Sequence, residues 1–235
     1  MMRNRFWLLG FAVVALALGV GLEQACVHAD EEERLPEGAP TPRPEGEGWI
    51  DLLSAENAGH WKNVTDPRAE RVAIEDGIFH VFGEKPTNYI AWTGRAFSDF
   101  ELHAEVKVTP GANSGVFFRT APDNPVQGGM EVQVYDDHGK APSKAGTGGL
   151  YDVATPMFNM ARPAGEWNSY DITCKGSLVE VRVNGWKVLD LDLAQLTMPI
   201  GKFDTPLADL PHEGHVILQD HGDEVWFRNV MVKPL

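Results

Sequence analysis

From Gly48 to the C-terminus the sequence is a succession of short alternating segments separated by turn residues, and this pattern constrains the fold most. The clearest segment runs from Phe100 to Val108, where apolar residues occupy every second position. A period of two is typical of a strand with one buried face. The polar residues between them, including His103, are therefore expected to face solvent.

Two-residue turns mark several of the boundaries between these segments. Asn184-Gly185 and Asp76-Gly77 each separate two apolar-rich segments, and both pairs favour tight hairpins. No stretch combines a helical period with helix caps. Roughly twelve short strands in one domain predict an all-β fold, a two-sheet antiparallel β-sandwich over residues 49–235.

The N-terminus has the layout of a secretory signal peptide over residues 1–29. Arg3 and Arg5 precede an uncharged apolar run, and Val27-His28-Ala29 supplies small residues for cleavage. The run is close to the shortest that spans a membrane, so an uncleaved anchor is the alternative. Residues 30–48 are acidic and proline-rich, which predicts a linker. The protein is expected to be secreted or periplasmic in a bacterium, with no membrane association after cleavage.

Charge and cysteine content limit the partners and the chemistry. The formal net charge of -14 argues against nucleic acid as a partner, because phosphate binding requires a basic surface. After signal cleavage Cys174 is the single cysteine, so no internal disulfide is expected. Cys174 lies in an alternating segment and is predicted to pack as a small apolar residue.

One predicted strand carries an unusual concentration of polar groups. Alternation places Glu131, Gln133 and Tyr135 on one face, with valines on the other. Asp136 and His138 follow in the next turn. Two interpretations are open: the polar row forms the floor of an active or ligand-binding site, or the strand has one solvated face, as is common in antiparallel sheets.

The segment from 139 to 166 is rich in Gly, Pro, Ala and Ser and has no clear periodicity. A loop of this length in a compact domain is often functional. We expect it to close over the face that carries Glu131, with Tyr151 as a binding residue.

Five separated motifs occur in order along the chain. They are residues 111–119 (GANSGVFFR), 131–136 (EVQVYD), 147–151 (TGGLY), 163–168 (PAGEWN), and 219–222 (QDHG) with 225–230 (VWFRNV). Together they resemble the 3-keto-disaccharide hydrolase family, from about Gly48 to the C-terminus. The resemblance implies a concanavalin A-like jelly roll whose concave sheet carries a sugar-binding groove.

The chain departs from the pattern of the β-glucanases that share this fold. Those enzymes place carboxylates at alternate positions of one concave strand, and retaining hydrolysis needs two of them close together. Here Gln133 and Tyr135 follow Glu131 on the same face, and Asp136 has the opposite parity. An ordinary retaining glucanase is therefore not expected.

The family offers another mechanism, in which a ketone at sugar carbon 3 acidifies the proton on carbon 2. One base then removes that proton, the substituent on carbon 1 leaves, and water adds. Within this mechanism we hypothesise that Glu131 is the base and that Gln133 orients it or the substrate, with Asp136 and His138 as further catalytic candidates. His138 or His221 would be the acid or electrophile, and Arg119 would hold the ketone oxygen or a hydroxyl. The residues expected to contact the substrate are Asn113, Arg119, Tyr151, Trp167, His221 and Arg228.

The tripeptide Asp-His-Gly occurs twice, at 137–139 and 220–222. His138 and His221 are candidate ligands of a divalent metal that would polarise the ketone. The alternative is chance recurrence of residues that favour turns. The sequence thus predicts an exported carbohydrate-active protein that cleaves 3-keto-glycosides. A non-catalytic, lectin-like carbohydrate-binding module and an envelope interaction domain are the alternatives.

Overall fold

The structure, a computed structural model, describes residues 38–235. The predicted signal peptide and residues 30–37 of the predicted linker lie outside this range. The described residues contain three short 3-10 helices, Ala58–His60, Leu193–Gln195 and Leu207–Asp209. The strands of these residues are β1 Ile50–Asp51, β2 Trp61–Asn63, β3 Val72–Glu75, β4 Ile78–Phe82, β5 Asn88–Trp92, β6 Phe100–Val108, β7 Asn113–Thr120, β8 Met130–Tyr135, β9 Trp167–Lys175, β10 Leu178–Val183, β11 Trp186–Asp192, β12 His215–Asp220 and β13 Glu224–Pro234.

The strands form two sheets that pack face to face. The larger has the order β11-β10-β9-β6-β13-β4-β3, and β1 also pairs with β13. The smaller has the order β2-β5-β12-β7-β8. Every strand pair in both sheets is antiparallel. This arrangement confirms the predicted two-sheet antiparallel β-sandwich of the jelly-roll kind.

Both predicted hairpin turns are present. Asp76 and Gly77 have φ of 50° and 74°, and Asn184 and Gly185 have φ of 51° and 81°. A positive φ at both central residues matches the right-handed twist of the flanking strands. The two turns join β3 to β4 and β10 to β11.

The core fills the space between the sheets with the apolar half of each alternating strand. Phe79, Phe100, Phe118 and Phe227 are each fully buried there. Cys174 is buried with them, and burial raises the pKa of its thiol to about 12. A thiol in this environment stays protonated, so Cys174 packs as a small apolar residue as predicted.

The outer face of β6 is buried at its centre, so the prediction for His103 is wrong. His103 is 1% exposed, and its Nδ1 lies 2.6 Å from Asp171 Oδ1. Burial opposes a charge on the imidazole, but the carboxylates of Asp171 and Glu105 raise its pKa overall. Chain preceding β1 lies on this face, where the Thr41 amide donates to Ser169 Oγ at 2.7 Å. Because Ser169 is the register partner of Glu105, that contact lies beside this cluster.

Residues 38–49 contain no strand or helix and are held to the sandwich by polar contacts. Besides Thr41, Arg43 donates to Asp51 at 3.1 Å. Within the described range, no helix has the length and apolar character needed to cross the membrane.

Candidate functional site

The polar face of β8 points away from the core of the sandwich. Val132 and Val134 are buried between the sheets, and Glu131 and Gln133 lie on the opposite, outer face of the smaller sheet. This is the parity that the alternation predicts. A cavity of about 340 Å³ lies over this face, and the residues that line it are Thr87, Tyr89, Asn113, Val126, Glu131, Gln133, Tyr151, Lys202, Gln219 and His221.

Two opposite charges meet in this cavity. Lys202 Nζ lies 3.3 Å from Glu131 Oε2, and the two side chains are 12% and 5% exposed. Burial raises the pKa of Glu131, although the Lys202 cation opposes the rise. Burial likewise lowers the pKa of Lys202 against the pull of Glu131. The two pKa values therefore shift toward each other, which makes proton transfer within the pair easier than in water.

Aromatic rings surround the Lys202 ammonium group. Its Nζ lies 5.1 Å from the ring centroid of Phe117, 5.3 Å from that of Phe203 and 5.5 Å from that of Tyr151. Cations are attracted to ring faces at these distances. The rings also keep water from the amine.

A glycine on the neighbouring strand makes room for the Glu131 carboxylate. Gly115 lies on β7, beside β8, and a Cβ built on it would overlap Glu131 Oε1. The same Cβ would lie 3.0 Å from Cγ and 3.1 Å from Cδ of Glu131. The absence of a side chain at position 115 thus fixes where the carboxylate sits.

We expect Gly115→Ala to lower activity by displacing the Glu131 carboxylate from Lys202, because a position error of about 1 Å can cost roughly 10²-fold in rate. The measurement is kcat on a 3-keto-glycoside beside an unfolding curve. Gly59→Ala is the matched control, since a Cβ there meets no atom within 4 Å. Equal activity in Gly115→Ala and the wild type would show that this carboxylate position is not required.

Two amide oxygens in the cavity are free to accept hydrogen bonds. Gln133 and Gln219 are 2% and 5% exposed, and neither Oε1 has a partner among the described residues. Gln133 Nε2 donates to Asn113 Oδ1 at 2.9 Å, which fixes the orientation of its amide. Buried acceptors without a partner are costly, so a ligand that donates hydroxyl groups would satisfy them.

Part of the long loop adds to the edge of β8. Gly148 N donates to Gln133 O, Gln133 N donates to Gly149 O, and Tyr151 N donates to Glu131 O, each at 2.9 Å. These loop residues therefore extend the smaller sheet beyond the edge of β8, where we had expected the loop to close over the face that carries Glu131. This pairing also brings the Tyr151 side chain into the cavity.

The two histidines of the repeated tripeptide lie in different cavities. His221 lines the cavity beside Glu131. His138 lines a separate cavity of about 380 Å³, where its Nδ1 lies 2.7 Å from Ala161 O. The predicted pairing of His138 with His221 around a metal is therefore corrected. Among residues 38–235, no group of three or more His, Cys, Asp or Glu side chains is placed to hold a metal ion.

Arg119 does not reach the cavity, although it lies on β7. Its guanidinium donates to Ser98 O at 2.8 Å, to Gly176 O at 2.7 Å and to Asp99 Oδ1 at 3.1 Å. Arg119 has a φ of 48°, and the register between β7 and β12 shifts at this point. A bulge of this kind re-aims a side chain. The predicted contact with a ketone oxygen is corrected to a structural role.

Three other predicted residues also lie away from the cavity. Trp167 and Arg228 belong to the larger sheet, where the Arg228 guanidinium lies 4.2 Å from the Trp167 ring centroid. Arg228 also pairs with Glu105 at 2.6 Å. Asp136 Oδ2 accepts a hydrogen bond from Gly111 N at 2.7 Å and so fixes a turn. The structure therefore brings together Glu131, Gln133, Asn113, Tyr151 and His221 from the predicted set.

Five further residues line the cavity that were not predicted from the sequence: Thr87, Tyr89, Val126, Lys202 and Gln219. Gln219 was within reach, because it shares strand parity with His221 in a motif already identified. Lys202 lies between two 3-10 helices, in a segment without the hydrophobic periodicity of a helix or strand, so its direction could not be predicted.

Comparisons with known proteins agree with the fold. Residues 48–233 match the model of the 3-keto-alpha-glucoside-1,2-lyase-like domain. The chain is 31% identical over 232 residues to a 3-keto-disaccharide hydrolase of Bacteroides thetaiotaomicron, which covers 81% of this chain and 80% of that protein.

Two solved structures of candidate glycosyl hydrolases from Parabacteroides distasonis are also similar. The first is 26% identical with a TM-score of 0.69, covering 80% of this chain and 99% of that one. The second is 24% identical with a TM-score of 0.65, covering 82% and 99%. The motifs quoted from the sequence, the family match and the relative agree, and the chain belongs to the 3-keto-disaccharide hydrolase family.

Proposed function

We propose that this protein binds carbohydrate in the cavity over β8 and cleaves 3-keto-glycosides by elimination followed by hydration. The observation that carries the proposal is the buried Glu131–Lys202 pair in a cavity whose other lining groups are uncharged or histidine. A base and a cation within one cavity are what proton abstraction beside a ketone requires. The name of the Bacteroides relative supports the same substrate class.

The residues that line the cavity supply candidate groups for the proton transfers. The Glu131 carboxylate takes the proton from carbon 2, and Lys202 stabilises the negative charge that moves to the oxygen on carbon 3. The bond from carbon 1 to its substituent then breaks, and water adds to carbon 1. The free Oε1 atoms of Gln133 and Gln219 accept hydrogen bonds from sugar hydroxyls. His221 lies at the same cavity and is the candidate acid for the leaving group.

Ordinary glycoside hydrolysis fits the cavity less well. A retaining enzyme needs two carboxyl groups about 5 Å apart, and an inverting enzyme needs two at a larger separation. Among the described residues that line the cavity, Glu131 is the sole carboxylate. Elimination needs a single base, so one carboxylate suffices.

The test is product formation from a methyl 3-keto-glucoside and from the matching glucoside without the ketone. We expect methanol release from the keto compound alone, because only its carbon 2 proton is acidified. The assay is run with and without added divalent metal. Saturable binding of the keto sugar without turnover would contradict the enzymatic proposal and favour a lectin-like module. Cleavage of both sugars would contradict elimination.

A further inference from the structure

The surroundings of Lys202 are more enclosed than electrostatic stabilisation of an oxygen requires. A lysine that only donates hydrogen bonds is usually hydrated and mobile. Here the Lys202 side chain is 12% exposed, its amine lies among three aromatic rings, and the Glu131 carboxylate lies 3.3 Å away, with Asp152 as a further charge acting on it. Removal of a lysine amine from water in this way is how a nucleophilic amine is activated.

The backbone of Lys202 is also held in place. The side-chain amide of Gln127 makes two hydrogen bonds to this segment. Its Nε2 donates to Lys202 O at 2.5 Å, and its Oε1 accepts from Asp204 N at 3.2 Å. Gly201, with a φ of 58°, packs directly on the Asp152 carbonyl. A fixed backbone positions the amine before substrate arrives, which is what a reacting group needs.

We propose that Lys202 forms a covalent iminium with the ketone at sugar carbon 3, and that this iminium is the electron sink for the elimination. The inference rests on the proposed function, since it requires a ketone substrate. It goes beyond that function because it assigns Lys202 a bond to the substrate.

One proton moving within the Glu131–Lys202 pair balances the first half of the reaction. Glu131 takes a proton from the ammonium, and the free amine attacks carbon 3. The nitrogen of the adduct passes one proton to the former ketone oxygen, which gives a carbinolamine. Glu131 then returns its proton to that hydroxyl, which leaves as water, and the nitrogen keeps its last proton. Overall, the ammonium and the ketone give a protonated imine and water, and Glu131 is ionised again, with no oxidant or reductant.

The second half uses the same carboxylate again. Glu131, now ionised, removes the carbon 2 proton, and the electron pair of that bond flows into the iminium to give an enamine. The enamine expels the carbon 1 substituent, which leaves as an alcohol after protonation. Water adds across the new double bond, with its hydroxyl on carbon 1 and its proton on carbon 2, and hydrolysis of the iminium restores the ketone and the Lys202 ammonium. The shared burial of the pair supports this route, because the pKa of Glu131 is raised and that of Lys202 is lowered.

The test is reductive trapping with the full-length protein. Protein is incubated with methyl 3-keto-glucoside and cyanoborohydride, which reduces an iminium to a stable secondary amine. We expect a covalent sugar adduct on Lys202 by peptide mass analysis, with loss of activity in proportion to labelling. Lys187, a partly exposed lysine on β11, is the internal control for non-specific labelling.

Lys202→Arg separates covalent from electrostatic roles, because a guanidinium keeps the positive charge but forms no iminium. We expect kcat to fall by at least about 10²-fold and the adduct to disappear. Lys187→Arg should retain both turnover and labelling at position 202.

The outcomes separate this inference from the proposed function. Wild-type turnover without an adduct on Lys202, or near-normal turnover in Lys202→Arg, overturns the iminium alone. An adduct without turnover supports the iminium and contradicts elimination as the function. Neither adduct nor turnover in the wild type overturns both.

Discussion

Replacing Glu131 with glutamine is expected to lower kcat on a 3-keto-glycoside by about 10²–10⁴-fold, the range for loss of a general base. The amide has the size of the carboxylate, so it fits over Gly115, but it cannot accept the carbon 2 proton. Loss of one partner of this buried pair should lower stability, but Lys202, whose pKa burial already lowers, can lose its proton instead of remaining as an unpaired charge. The packing of β8 is unchanged, so the protein should remain folded. Steady-state kinetics and a thermal unfolding curve on the same preparation measure both effects.

The pH dependence of the wild type follows from the same carboxylate. Burial raises the pKa of Glu131 above its ordinary value of 4.5, with Lys202 opposing. The base works only when ionised, so kcat/KM should fall as the pH drops through this raised pKa.

Glu75→Gln is the matched control for Glu131→Gln, because Glu75 is exposed on β3 of the other sheet. Undiminished turnover in Glu131→Gln would remove Glu131 from the mechanism.

Arg119→Met is expected to destabilise the fold by about 2–6 kcal/mol, because two carbonyl oxygens each lose their side-chain donor at a cost of about 1–3 kcal/mol. The side chain of Arg119 is fully buried and satisfies two carbonyls and the Asp99 carboxylate. Methionine fills much of the volume but leaves these oxygens without a donor. Denaturant unfolding gives the free energy, and kcat per folded molecule should be close to that of the wild type.

Arg182→Met is the control for Arg119→Met, because Arg182 pairs with Glu180 at an exposed position on β10. Exposed pairs contribute about 0–1 kcal/mol, so this variant should unfold nearly as the wild type does. If Arg119→Met were as stable as the wild type but had a raised KM, Arg119 would contact the sugar as the sequence first suggested.

Strand parity was the part of the site that could be predicted. A period of two is a local property, so the outward face of Glu131 and Gln133 follows from their neighbours alone. Which sheet a strand joins is not local, and for that reason Trp167 and Arg228 were assigned to the wrong face of the sandwich. The bulge that turns Arg119 inward depends on its pairing with β12, which the sequence does not display.

His103 and Lys202 illustrate a second limit. The alternation of β6 correctly predicts which side chains share a face, but residues that precede β1 lie against the outer face. Lys202 comes from irregular chain, so its approach to Glu131 depends on the Gln127 and Gly201 contacts. Both residues acquire their surroundings from segments distant in sequence, and propensity or periodicity carries no information about such contacts.

The pairing of residues 148–151 with β8 has a consequence for the behaviour of the protein in solution. β8 is the last strand of its sheet, and an unpaired last strand is a template on which another chain can add. The loop occupies the carbonyl of Glu131 and both the amide and the carbonyl of Gln133, so the strand that carries the candidate base is also protected from aggregation. Substitutions that detach this loop would therefore reduce solubility together with activity, and selection for either property would preserve both.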